Sequence, residues 1–106
     1  MNIAFRVDAS DSIGTGHVMR CLTLAEELRD RDCKVEFICR EHPGHMADMI
    51  TSKGLEVTLL PAPDQAYAIA QGQNDYSAWL GVTQEEDAGQ TIEALESENT
   101  DWLIVD

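Results

Sequence analysis

His17 sits where a side chain can move a proton. It follows Gly14-Thr15-Gly16, and Asp8 and Asp11 stand shortly before that run. A glycine-bearing loop that opens into a helix leaves free N–H groups aimed at one point, and the helix dipole favours negative charge there. The same dipole disfavours an imidazolium, so a neutral ring able to accept a proton is expected at the first helical turn. Gly14 and Gly16 can take backbone angles closed to other residues and let a ligand come close. Asp8 or Asp11 could orient the His17 ring or bind a substrate hydroxyl. For Asp11 an Asx turn or a solvated carboxylate is the plainer role. Arg20, one turn past His17, either reaches a substrate or lies on a solvated helix face. His17 itself is either a base or a residue that only caps the helix.

Other patterns carry less chemistry. The run Gly14-Thr15-Gly16-His17-Val18-Met19 lacks the third glycine of a dinucleotide fingerprint, and no P-loop lysine follows. His42 and His45 flank a Pro43-Gly44 turn without an acidic third ligand in it, so no metal is expected. Cys21, Cys33 and Cys39 have neither zinc nor CxxC spacing and read as free thiols in a reducing cytosol. Arg6 falls within a strand that should be buried, which calls for a structural ion pair with an acid. Tyr76 and Trp79 either pack under a loop or stack on a sugar or base. Glu85, Glu86 and Asp87 occupy a first helical turn, where negative charge is stabilising, and they are given no chemical role.

These residues need elements to position them. Residues 2–7 (NIAFRV) read as a buried first strand, with Ile3, Phe5 and Val7 on one face. Residues 9–16 form a loop. Residues 17–32 form a helix whose Val18, Cys21, Leu22, Ala25 and Leu28 follow the i, i+3, i+4, i+7 rule. Residues 34–39 (KVEFIC) are a second strand, and residues 40–44 a turn. A short helix spans 45–52, with Met46, Met49 and Ile50 inward and Gly54 as its cap. Residues 55–60 (LEVTLL) are a third strand, stopped by Pro61 and Pro63. Residues 64–71 suggest a helical turn or two, 72–75 a loop, and 76–82 are ambiguous. Residues 83–98 are a helix opened by a Thr83/Glu86 capping box, with Ala88, Thr91, Ile92 and Leu95 inward. Residues 102–105 (WLIV) are a fourth strand, with Asp106 at its carboxyl end. The alternation predicts a Rossmann-like α/β fold, a parallel sheet with helices on both faces. Ligands in such sheets sit beyond the carboxyl ends of the strands, where the 9–16 loop lies.

The bulk properties set limits. A chain of 106 residues is one domain. Twenty Asp and Glu against seven Lys and Arg give a net charge of −13, which repels nucleic acid and anionic membranes. A bound diphosphate would need local dipoles or a second, more basic domain. No stretch approaches the ~20 apolar residues that span a bilayer, and no signal peptide is seen, so a cytoplasmic location is expected. The chain stops on a strand, which suggests a truncated protein.

The segment Phe5-Arg6-Val7-Asp8-Ala9-Ser10, followed by Ile13-Gly14-Thr15-Gly16-His17-Val18-Met19-Arg20-Cys21-Leu22, resembles the start of the UDP-sugar hydrolases of pseudaminic acid biosynthesis. Their pattern is F-R-x-D-x-S and then I-G-x-G-H-x-x-R-x-L. Trp102-Leu103-Ile104-Val105-Asp106 is similar to that family's fourth strand. The resemblance implies the N-terminal half of a two-domain glycosyltransferase-B architecture. It implies release of UDP from UDP-2,4-diacetamido-2,4,6-trideoxy-β-L-altropyranose by inverting attack of water, without a cofactor or a metal. The family's catalytic histidine falls on His17, as general base. Asp8, Ser12, Gly14, Thr15, Gly16 and Arg20 are the matching candidates for substrate binding. In that family a C-terminal domain holds most of the UDP, so this domain alone should be inactive or nearly so.

Two other readings stand beside this one. A glycosyltransferase of the same architecture would need an acceptor other than water. A non-catalytic sugar-nucleotide binding domain would tolerate loss of His17.

Overall fold

The structure, a computed structural model, describes residues 1–11, 13–62, 83–96 and 99–106. The expectations for residues 64–82, Tyr76 and Trp79 among them, lie outside the described residues, as does Ser12. Among the described residues four strands and three helices alternate. They are β1 (Asn2–Arg6), α1 (Gly16–Asp30), β2 (Lys34–Arg40), α2 (Ala47–Ser52), β3 (Glu56–Leu60), α3 (Gln84–Leu95) and β4 (Trp102–Val105). The strands form one sheet in the order β3-β2-β1-β4. Every pairing is parallel. This is the Rossmann-like α/β arrangement that the alternation predicts.

The pleat divides the sheet into two faces. Ile3, Phe5 and Val7 point with Val35, Phe37 and Cys39 toward the main core, where Val18, Cys21, Leu22 and Ala25 of α1 and Ile50 of α2 meet them. Phe5 and Phe37 are register partners, and their rings stack 5.1 Å apart at 12°. The opposite face is smaller. Ala4, Ile38 and Leu60 pack there against Ala94 and Leu95 of α3.

Both short connections on the main face close in the same way. Asp32 N–H donates to Arg29 O and Cys33 N–H to Leu28 O, which ends α1 two residues before the predicted stop. Gly54 N–H donates to Thr51 O and Leu55 N–H to Ile50 O, which ends α2. The pivots are Asp32 (φ 66°) and Gly54 (φ 80°), and such a left-handed residue just past a helix satisfies its last carbonyls. At the second of these the predicted glycine cap is in place.

The second face holds charge. Arg6 and Arg40 project from it on neighbouring strands, and Arg40 is fully buried. Arg40 lies in β2 rather than in the predicted turn, because strand pairing continues to Arg40↔Leu60. Arg6 grips Asp8 through Nη1 at 2.7 Å and Nη2 at 3.0 Å, and Asp87 through Nε at 3.2 Å and Nη2. Arg40 reaches the same Asp87 at 2.7 Å, Gln90 Oε1 at 2.7 Å and Pro61 O at 2.9 Å. Two guanidinium groups thus meet two carboxylates, and the cluster is neutral. The ion pair expected for Arg6 is present, and Asp87, expected only to favour the helix dipole, is at its centre.

This cluster explains a departure in α3. The expected inner face included Ala88 and Ile92, yet Ile92 is 61% exposed. The helix turns Asp87, Gln90, Thr91 and Ala94 to the sheet instead. Burying one isoleucine is worth about 1.5–3 kcal/mol. Stripping a buried arginine of its partner costs about 3–5 kcal/mol, and here two arginines share one aspartate. The charged grip outweighs the isoleucine. An apolar groove of about 360 Å³ is left between α3 and β4, lined in part by Ile92, Leu103 and Val105.

Replacing Asp87 by Ala should therefore lower stability by about 3–5 kcal/mol in urea unfolding. Replacing Arg31 by Ala, which loses only an exposed pair with Glu27, should cost less than about 1 kcal/mol. Equal effects from the two changes would show that the cluster is not holding α3.

Candidate active site

The site begins where β1 ends. Val7 N–H still donates to Ile38 O, and then the chain leaves the sheet. Ser10 closes the loop. Its Oγ accepts from Ile13 N–H at 2.9 Å and its carbonyl from Gly14 N–H at 2.8 Å. Gly14 has φ 84° and supplies the left-handed step the turn requires. Gly16 does not have a positive φ, so its expected special backbone angle is not seen. It is the first residue of α1, and a Cβ there would meet open space. Thr15 stands at the N-cap with no side-chain bond to the helix, so its hydroxyl leaves the first N–H groups of α1 uncapped.

The loop rests on the neighbouring β2–α2 connection. Asp11 N–H donates to Pro43 O at 2.9 Å. Gly44 (φ 84°) lies so close that a Cβ would strike the Asp11 carboxylate and come within 2.8 Å of Asp11 N. His42 is buried beneath, with Nε2 3.6 Å from Asp8 Oδ2. His45 accepts from Ala47 N–H through Nδ1. Among the described residues no cluster of His, Cys, Asp and Glu could hold a metal ion.

Asp8 belongs to the buried cluster rather than to the open loop. Its carboxylate takes the Arg6 fork and Arg40 N–H at 2.8 Å. Burial alone would raise its pKa, but the facing His42 ring, the Arg6 guanidinium and the Arg40 amide together hold it at about 2. It anchors the exit of β1 and does not contact His17 among the described residues. Its charge also helps burial push the Cys39 thiol up to about 12, so Cys39 is an inert, protonated core residue.

The group that does meet His17 is Asp106, just past β4. Because β4 pairs with β1, Asp106 N–H donates to Arg6 O and the residue sits across from the α1 N-terminus. His17 Nδ1 lies 3.1 Å from Asp106 Oδ1. Arg20 Nη2 lies 3.2 and 3.1 Å from the two Asp106 oxygens and 3.1 Å from His17 Nδ1. The Cys21 thiol donates to Asp106 Oδ2 at 3.7 Å. Burial and then the Asp106 charge push that thiol up to about 11, so it stays a donor. The bond to His17, with Arg20 beside it, keeps the Asp106 carboxyl below its ordinary range.

Of the sequence candidates, the structure brings His17, Gly14, Thr15, Gly16 and Arg20 to one corner at the carboxyl end of the sheet. It separates Asp8 from them. The sequence reading passed over Asp106 as a ligand of His17. The signal was available: an acid directly after a strand that, in the order β3-β2-β1-β4, lies beside the loop-bearing strand. The arrangement can hold an imidazole with one nitrogen toward protein and, among the described residues, the other without a partner, beside a helix start that the Thr15 side chain does not cap. No protein-family model matches the chain, and no curated protein matches it.

Two outcomes follow. Asp8 has a lowered pKa in the folded state, so its contribution is complete above the ordinary carboxylate range and is lost as pH falls from ~4 through about 2. That contribution is on the order of 2 kcal/mol. Urea unfolding at several pH values should show a shallower acid decline for Asp8→Asn than for the native chain; parallel declines would remove Asp8 as its source. Gly44→Ala should cost about 1–2 kcal/mol through left-handed strain and displacement of Asp11. It should also shift the backbone amide resonances of Gly14 and Gly16, and unmoved loop resonances would mean that the two loops are not coupled.

Proposed function

We propose that this chain is the N-terminal half of a glycosyltransferase-B type enzyme that releases UDP from a UDP-activated 2,4-diacetamido-2,4,6-trideoxy sugar, with His17 as general base. One observation carries the reading. The His17 ring stands at the N-terminus of α1, where the Thr15 side chain makes no cap bond, at the carboxyl end of the parallel sheet, with Nδ1 against protein. Among the described residues Nε2 has no hydrogen-bond partner. The motif that resembles the UDP-sugar hydrolases falls on this same corner.

The chemistry is a single displacement. A water oxygen bonds to the anomeric carbon while the bond from that carbon to the diphosphate oxygen breaks. UDP leaves with the electron pair, His17 Nε2 takes the proton from water, and the configuration inverts. The overall charge of −13 works against a diphosphate, so the α1 N-terminus supplies the local positive potential. A second domain would hold the nucleotide, and this half alone would turn over little substrate. No described helix is long and apolar enough to cross a membrane, and the reading places the enzyme in the cytoplasm, where sugar nucleotides are used.

The test is UDP release in water, without an acceptor, by the enzyme carrying this domain, native and with His17→Asn. A base in this position contributes about 10²–10⁴-fold, so kcat should fall by that factor while KM changes little. Release that persists in the variant removes His17 as base. Release that begins only when an acceptor sugar is added identifies a glycosyltransferase.

A further inference from the structure

We infer that Asp106 is the positioning residue of this site, holding His17 in the Nδ1–H tautomer so that the Nε2 lone pair faces the substrate. The inference deepens the reading of His17 as base and rests on it.

The geometry presents a choice at one atom. His17 Nδ1 has a carboxylate oxygen at 3.1 Å and a guanidinium nitrogen at 3.1 Å. A ring nitrogen either donates or accepts, whereas a carboxylate only accepts and a guanidinium only donates. If Nδ1 accepts from Arg20, the proton lies on Nε2 and the ring cannot act as a base. If Nδ1 donates to Asp106, Nε2 is free to take a proton.

The surrounding contacts decide for Asp106. Arg20 Nη2 already has both Asp106 oxygens within 3.2 Å, so its donors are satisfied without the ring. Either bond would have one ionised partner, but a lone pair on Nδ1 would face the Asp106 oxygen at 3.1 Å, acceptor against acceptor, whereas an Nδ1–H meets that oxygen as a donor. Asp106 is in turn fixed from three sides: by Arg20, by the Cys21 thiol and by its own backbone bond to β1. Arg20, offered by the sequence as a substrate contact, therefore acts as the clamp on Asp106. His17, Arg20 and Cys21 all come from the first turns of α1, so one helix presents both the base and the groups that fix its partner.

The tautomer can be read directly by long-range proton–nitrogen NMR on the nitrogen-15-labelled chain, at about pH 8, above the ordinary histidine range. The native ring should show the proton on Nδ1. Asp106→Ala leaves Arg20 as the only hydrogen-bonding neighbour of Nδ1 among the described residues and should move the proton to Nε2. Arg20→Ala should leave it on Nδ1. Unchanged β1 and β2 amide resonances will show that the variants are folded. A native ring protonated on Nε2, or a tautomer that ignores Asp106→Ala, would overturn the inference. In the UDP-release assay Asp106→Ala should lower kcat by about 10²-fold with little change in KM, and Asp106→Glu should recover part of it. An equal loss in the alanine and glutamate variants counts against positioning. A proton moved by Asp106→Ala, together with full activity in His17→Asn, would sink the base reading and leave the tautomer assignment standing.

Discussion

The fold depends on a neutral knot of four charges. Arg6 and Arg40 lie side by side on the two central strands of the described sheet, on the face that α3 covers, and both are buried. Charges removed from water cost several kcal/mol each unless every one is met by an opposite charge with good hydrogen-bond geometry. Asp8 and Asp87 meet them, and Gln90 and Pro61 accept from the two Arg40 Nη groups, while Arg40 Nε is left without a partner among the described residues. These partners come from three parts of the chain: Asp8 just past β1, Asp87 and Gln90 from α3, and Pro61 at the exit of β3. Satisfying the arginines therefore fixes where these three segments sit.

The consequence reaches the candidate site without any residue of the knot touching His17. Asp8 leads directly into the loop that carries Ser10, Gly14 and Gly16. With its carboxylate locked by Arg6 and the Arg40 amide, the chain leaves β1 in one direction only. Asp11 and Gly44 then hold the loop against the β2–α2 connection, and α1 starts from a defined point. Electrostatics on one face of the sheet thus sets the position of a ring on the other.

How far this was legible in the sequence varied with the kind of signal. The strands, α1 and the parallel order followed from periodicity, because alternating and 3.6-residue patterns report burial directly. His17 at the start of α1 followed from a glycine-bearing loop between strand and helix. Arg6 announced its ion pair because a cation in an apolar strand has no other way to be buried. Its partners were hidden. Asp87 sits 81 positions away within an acidic run whose three members look alike, and only helix rotation picks one of them. Arg40 looked like the first residue of a turn, since hydropathy assigns a charged residue to the end of a strand even when pairing continues through it. Ile92 was assigned to the inner face by its apolar side chain, whereas the charges decided the rotation. Asp106 needed the strand order as well as the strands.

That last dependence says what controls the chemistry of the corner. His17 arrives through the loop after β1, and Asp106 arrives at the end of β4. Their separation is fixed by the pairing Arg6↔Val105 and by the Asp106 N–H bond to Arg6 O. Arg6 therefore appears twice: its side chain closes the charged knot on one face, and its carbonyl holds the acid that faces His17. A slip of one residue between β1 and β4 would turn every β4 side chain to the opposite face and carry Asp106 away from the ring. The tautomer of one histidine is thus tied to the register of the sheet. That explains how a chain with so strong a negative charge can keep one carboxylate, out of twenty Asp and Glu, in the place where it directs a proton.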